Sequence, residues 1–218
     1  HHGLPNAQMF IVDEKTNSAW TMADRLVRIN LHTGKGTVAA EITDKTEIIS
    51  RNPIIRLRNG CWLLGKLLDK LTIVDVATGA QQKVPIALNS EEKAVKVTCF
   101  LENPDSSIWV GTTGGLFRIR PDGTLLERFS TTSVPALGSD HLLALHADNA
   151  GRLWIGTFGG GLNCLETNRN SGKRNLRIFT QRNGLCDDNV ASILEDDAGN
   201  IWCGTYNGLA CYRTRSGV

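Results

Sequence analysis

DNAGRLWIGTFGGGL (residues 148–162) recurs 48 positions later as DDAGNIWCGTYNGL (residues 196–209), and a shorter form, DSSIWVGTTGGL, occupies residues 105–116. Each copy carries one tryptophan, a glycine two positions on, a threonine after that, and a second glycine-bearing turn. The chain has only five tryptophans: Trp20, Trp62, Trp109, Trp154 and Trp202, at intervals of 42, 47, 45 and 48 residues. A rare residue at near-even spacing marks one supersecondary unit repeated five times. A period in the forties with four short strands per unit is that of a propeller blade.

Each unit parses into strands. Leu142 to Ala147 and Val190 to Glu195 are short β-prone runs, the first strand of a blade. The Asp-Asn-Ala-Gly and Asp-Ala-Gly-Asn segments after them are turn chemistry, with glycine available for positive φ. Leu153 to Thr157 reads as the second strand and Leu162 to Glu166 as the third. Leu125 to Phe129 and Leu176 to Thr180 read as fourth strands. The expected fold is all-β: about five four-stranded blades, over residues 3–45, 46–90, 91–136, 137–184 and 185–218, the last lacking its outer strand. Tryptophan is expected to fill the wedge between adjacent blades, and the glycine two positions on to let the next backbone approach. Thr157 and Thr205 are expected to bond locally at the strand end.

Bulk properties exclude several classes. Of 218 residues, 24 are basic and 22 acidic, a net charge of +2, which gives no field for nucleic acid or a membrane surface. The densest basic stretch, Arg169 to Arg177, reads as a solvated turn. No run of 18 apolar residues occurs, and no apolar leader opens the chain, so it reads as cytosolic or as the mature part of an exported protein. The six cysteines show neither CxxC nor Cys/His metal spacing; Cys164 and Cys211 fall at the strand position that Arg118 fills in another copy, and Cys203 where Val110 and Ile155 stand. No disulfide framework, metal or cofactor is expected.

These strings, each preceded by an apolar strand, resemble the two-component regulator propeller repeat, whose pattern is similar to "GL..n.V..i.eD..G.lWigT..GL.r". Asp148, Gly151, Trp154, Gly156, Thr157 and Leu162 match it in the fourth repeat; Asp196, Gly199, Trp202, Gly204, Thr205, Gly208 and Leu209 match in the fifth. Gly3-Leu4-Pro5-Asn6 resembles the opening of a repeat. Repeats one and two depart, since Trp20 is followed by Thr-Met-Ala and Trp62 by Leu-Leu-Gly. The resemblance implies the periplasmic sensor region of a hybrid histidine kinase, part of an inner-membrane protein that responds to oligosaccharides and signals as a homodimer through a phosphorelay to transcription. Five blades are fewer than the seven usual in that family, so the chain reads as a segment of a longer propeller region. It would make no contact with membrane or nucleic acid.

In a propeller the loops leading into first strands share a face with the turns between second and third strands. That places Asn6, Asp140, His141, Asp187, Asp188 and Asn189 beside Phe158 and Tyr206. Carboxylates and amides facing sugar hydroxyls, with aromatic faces against sugar rings, is the chemistry of carbohydrate recognition, and loops on a rigid scaffold commonly carry function. Turn chemistry alone also selects Asp and Asn. No GxSxG, P-loop or HExxH is present, and no catalytic residue is assigned. A propeller lyase is the enzyme alternative, with His146 and Asp148 as its poor acid–base pair; a protein-interaction scaffold is the third reading.

Overall fold

The computed structural model describes residues 10–22, 25–41, 53–65, 67–90, 95–168 and 170–213. Asn6 and the Gly3-Leu4-Pro5 opening lie outside them. The chain divides into two compact units, His1–Val97 and Thr98–Val218.

The first unit holds two four-stranded antiparallel sheets. One runs in chain order through β1 (Phe10–Asp13), β2 (Ser18–Met22), β3 (Arg25–Asn30) and β4 (Gly36–Glu41). The other runs through β5 (Ile54–Arg56), β6 (Trp62–Leu64), β7 (Thr72–Val74) and β8 (Gln81–Lys83). Trp20, Leu26, Ile54, Trp62, Leu64 and Val74 form one core cluster, with the two indole rings 4.7 Å apart.

The second unit carries three sheets. β9 (Val97–Glu102), β10 (Ile108–Thr112), β11 (Gly115–Ile119) and β12 (Leu125–Phe129) form one. β13 (Leu142–Ala147), β14 (Leu153–Thr157), β15 (Leu162–Thr167) and β16 (Arg174–Phe179) form the next. β17 (Val190–Glu195), β18 (Ile201–Thr205) and β19 (Gly208–Tyr212) form the last, with three described strands. Successive strands of each sheet pair antiparallel, because connections of two to seven residues permit only hairpins.

The repeated tryptophan seals one sheet to the next. Trp109 joins Leu116 and Phe129 of its own sheet to Leu142, Leu153, Ile155 and Leu165 of the following one. Trp154, Leu162 and Cys164 meet Val190, Ile201 and Cys203 in the same way. The alternation of strand side chains does this: Trp154 and its strand neighbours Leu153 and Ile155 face opposite ways. Trp154 also donates its indole N–H to Asp148 Oδ2 at 2.7 Å. The glycine two positions after each tryptophan allows close approach. A Cβ on Gly156 would stand 2.5 Å from the Val190 carbonyl oxygen. The threonines close the turn, Thr112 Oγ1 donating to the Gly115 carbonyl at 2.6 Å and Thr157 Oγ1 to that of Gly161 at 2.8 Å.

Two tryptophans depart from the common placement. Trp62 stands one position earlier than the others. The turns between first and second strands show this: the N–H groups of Gly60, Ser106, Gly151 and Gly199 bond the carbonyls of Leu57, Asn103, Asp148 and Asp196. Counted from those turns, Leu63 is the equivalent of Trp154, and Trp62 is the equivalent of Leu153. One position reverses the face, so Trp62 meets Trp20 from the opposite side of its sheet. Trp202 keeps the phase, yet it is 36% exposed, against 0% for Trp154 and 3% for Trp109.

The basic stretch near residue 170 is more than a solvated turn. Arg174 and Arg177 lie on β16, which starts two positions before the expected Leu176. Arg174 and Arg118 both bond Glu127, and both guanidiniums stand over the Trp109 ring, at 5.8 and 5.5 Å. Arg177 pairs with Glu166 at 2.6 Å. All six cysteines are free thiols, and burial pushes those of Cys164 and Cys203 up to about 11 and about 12.

Candidate functional site

Two equivalent connections of the second unit build the site. Each lead-in loop to a first strand is tied to the turn between second and third strands of its own sheet. The Phe158 N–H donates to the His141 carbonyl at 2.8 Å, and the Tyr206 N–H to the Asn189 carbonyl at 3.1 Å. His141 and Phe158 are thereby adjacent, with ring centres 5.4 Å apart and planes at 33°. Tyr206 continues the row, its ring 6.2 Å from Phe158 at 70°. Phe158 is 48% exposed and Tyr206 62%. The result is a row of three rings crossing from the fourth sheet to the fifth, open to solvent.

The acidic residues fall into two kinds. The Asp140 carboxylate accepts the Thr131 N–H at 2.6 Å and the Thr131 hydroxyl at 2.9 Å, while its carbonyl accepts the Gly115 N–H. Asp188 repeats this: its carboxylate accepts the Gln181 N–H at 2.7 Å, and its carbonyl the Gly161 N–H at 2.9 Å. Both therefore clamp one sheet's turn to the next sheet's lead-in loop. Asp187 holds Asn189 instead, through the backbone N–H and the side-chain amide, each at 2.7 Å. Asp187 and Asn189 thus stand beside Tyr206, and His141 and Phe158 complete the group; Asp140 and Asp188 supply the frame under it.

Asn163 was not anticipated from the sequence. It is fully buried on β15, where the other copies have Phe117 and Ala210. Its Oδ1 accepts the Gly138 N–H at 2.8 Å and its amide donates to the Gly160 carbonyl at 3.2 Å. It thereby pins the 137–141 loop to the 158–161 turn that carries Phe158. A lone polar residue in an apolar strand position is the signal that marks it.

The row can stack apolar faces of a ligand and offer hydrogen-bond acceptors at its edges. The His146–Asp148 pair is differently placed. Burial alone would raise the Asp148 carboxyl, but bonds from the Trp154 indole and from the Arg152 N–H and guanidinium hold it below the usual carboxylate value. His146 Nε2 stands 3.7 Å from Glu195 Oε2. Among the described residues no cluster of three or more His, Cys, Asp or Glu is placed to hold a metal ion.

Small antiparallel four-stranded sheets, stacked through a repeated tryptophan, define an all-β protein of the β-propeller class. Two of its repeats are two-component regulator propeller repeats: that family's model matches residues 136–159 and 184–207. No curated protein matches the chain. One similar solved structure is an extracellular domain described as part of the hybrid two component system BT3049 of B. thetaiotaomicron, at 22% identity and a TM-score of 0.71 over 97% of this chain and 27% of that one. Another, from system BT4673 of the same organism, gives 22% identity and a TM-score of 0.72 over 97% and 27%. Virginiamycin B lyase of Staphylococcus aureus matches at 12% identity and a TM-score of 0.65, over 98% of this chain and 72% of the lyase. At these identities the likeness shows the fold. The chain spans about a quarter of the length of the two sensor domains. No helix among the described residues is long and apolar enough to cross a membrane.

Proposed function

We propose that this chain is a ligand-sensing propeller segment from the periplasmic part of a hybrid two-component sensor histidine kinase. Its ligand is an oligosaccharide, held on the His141–Phe158–Tyr206 row with Asp187 and Asn189 at the edge. Binding biases the packing of two sensor chains, and so the kinases and the phosphorelay to transcription beyond them. The observation that carries the reading is the solvent-open ring row on a two-component regulator propeller repeat. The descriptions of the sensor-domain neighbours support the setting. This segment performs no catalysis in the reading, since the Asp148 carboxylate is already engaged by Trp154 and Arg152.

The test is a thermal-shift screen of the chain against glycan fragments, with Phe158→Ala and Tyr206→Ala alongside. A fragment at about 100 times its Kd stabilises the native state by about 2.7 kcal/mol. At least one fragment should raise the melting temperature of the wild type and not of the variants. A fragment that raises all three equally would remove the row as the site. If no fragment has any effect, the sugar reading is lost and a protein-interaction scaffold is favoured. Metal-dependent turnover of a substrate would favour the lyase fold's chemistry instead.

A further inference from the structure

A half-open cleft of about 90 Å³ lies between the third and fourth sheets, at the strand ends opposite to the ring row. It is lined by Asn103, Trp109, Arg118, Leu153, Leu165 and Arg174. The matching turns of the fourth and fifth sheets show what chemistry this position takes. Asn103, Asp148 and Asp196 are equivalent: each carbonyl accepts the N–H three residues on, and each N–H donates to the carbonyl four residues on. The Asp148 carboxylate accepts the Trp154 indole N–H at 2.7 Å, and the Asp196 carboxylate that of Trp202 at 2.8 Å. Asn103 is neutral, and its amide donates to Ser107 Oγ at 2.9 Å instead. Trp109 is 3% exposed, and its indole N–H has no acceptor among the described residues. A buried donor left unpaired is costly and calls for an explanation.

The two arginines of the cleft supply a second, independent observation. A guanidinium carries five N–H groups. Arg118 uses three, Nε on Ser107 Oγ at 2.9 Å, Nη1 on Glu127 at 2.5 Å and Nη2 on Asp105 at 2.6 Å. Arg174 uses three, two on Glu127 and one on the Thr167 hydroxyl. Each keeps two N–H groups unused. The charges there are Arg118 and Arg174 against Glu127 and the exposed Asp105, while Arg152 at the rim is committed to Asp148. The group is balanced as it stands, so a single added negative charge suits it better than a dianion.

We infer that this cleft is a binding site for a small organic carboxylate, free or carried on a sugar acid. The carboxylate accepts from Trp109 Nε1, as those of Asp148 and Asp196 accept from their own tryptophans. It also accepts from the unused N–H groups of Arg118 and Arg174. Arginine suits a carboxylate through paired N–H···O bonds, and such charge-assisted bonds are the stronger kind. The size fits: a water takes about 30 Å³, so the cleft holds a carboxylate and the carbon that bears it. Leu153 and Leu165 give that carbon an apolar wall. The site is separate from the ring row and does not depend on the sugar reading made there.

The test titrates the full nitrogen-15-labelled chain with sodium acetate and with sodium glucuronate, against sodium chloride at equal ionic strength, and reads the indole N–H signals. Single Trp→Phe variants assign them. The Trp109 signal should move and saturate with the carboxylates. Saturation at lower glucuronate than acetate identifies a sugar acid as the source, and the reverse a free acid. Trp20, whose N–H is also without a partner but lies away from the cleft, is the control and should stay still. Asn103→Asp supplies the carboxylate covalently, so the Trp109 signal should start near its ligand-bound position and no longer respond. A Trp109 signal that moves with neither carboxylate, or moves as far with chloride, overturns the proposal. So does an Asn103→Asp variant that responds as the wild type does. If that variant fails to fold, the wild-type titration decides alone.

Discussion

Replacing Trp154 by alanine should cost about 3–5 kcal/mol, the range for truncating a buried aromatic. The indole is fully buried between the fourth and fifth sheets. Phe179 and Tyr212 lie against it at 6.1 and 5.2 Å. Its removal opens a cavity there and takes one donor from Asp148, which keeps its bonds to Arg152. A buried tryptophan removes about 150–250 Å² from water, worth roughly 4–6 kcal/mol at about 25 cal/mol per Å². Part of that returns as neighbours relax, which agrees with the mutational range. Trp202→Ala makes the comparison. The same residue type at the same repeat position keeps its bond to Asp196 but has an open face, so roughly half of the burial is at stake and about 2 kcal/mol is expected. Urea denaturation followed by circular dichroism measures both. For a chain of this length each kcal/mol moves the melting temperature by about 2–4 °C. Equal losses for the two variants, or a Trp154→Ala loss below that of Trp202→Ala, would refute the inter-sheet wedge.

Gly156→Val should be strongly destabilising, because its side chain would collide with the Val190 backbone carbonyl at 2.5 Å; a melt equal to wild type would show that the sheets are further apart. Asn163→Leu should lower stability, since it strands the Gly138 N–H, and should also loosen hydrogen exchange in the 137–141 loop; unchanged exchange there would remove its positioning role. The Asp148 carboxyl is held below its unfolded value of about 3.9, so its contribution is present above that pH and lost as pH falls through the lower folded value. Asp148→Asn should therefore flatten the fall in urea midpoint as pH drops below about 4; a parallel fall in wild type and variant would contradict this.

The strand pattern of the second unit was readable from sequence because every local signal agreed. Gly151 and Gly199 sit at positive φ in the expected turns, and Leu142–Ala147, Leu153–Thr157, Val190–Glu195 and Leu125–Phe129 form as read. The phase of Trp62 was not readable from intervals alone. A spacing of 42 against 47 looks like loop variation, yet one residue in a strand reverses the face, and only the turn hydrogen bonds fix the count. The arginine layer over Trp109 was hidden because Arg174 lies 47 positions beyond Glu127 and reaches the Arg118–Glu127 pair of adjacent strands only when the two sheets stack. At the site, Phe158, Tyr206 and His141 were legible as companions because their loops occupy matching repeat positions. The division of the aspartates was not. Asp140, Asp187 and Asp188 are the same residue in the same turn chemistry, and only the partner of each carboxylate separates the clamps from the residue beside Tyr206.

Stacking of successive sheets through in-phase tryptophans is tested most directly by incorporating 5-fluorotryptophan and recording the fluorine spectrum with a soluble paramagnetic gadolinium chelate. Single Trp→Phe variants assign the five signals. Trp202 should broaden strongly, while Trp62, Trp109 and Trp154 stay sharp, as their 1%, 3% and 0% exposures require. Broadening of Trp109 or Trp154 to the extent of Trp202 would contradict the stacked-sheet account.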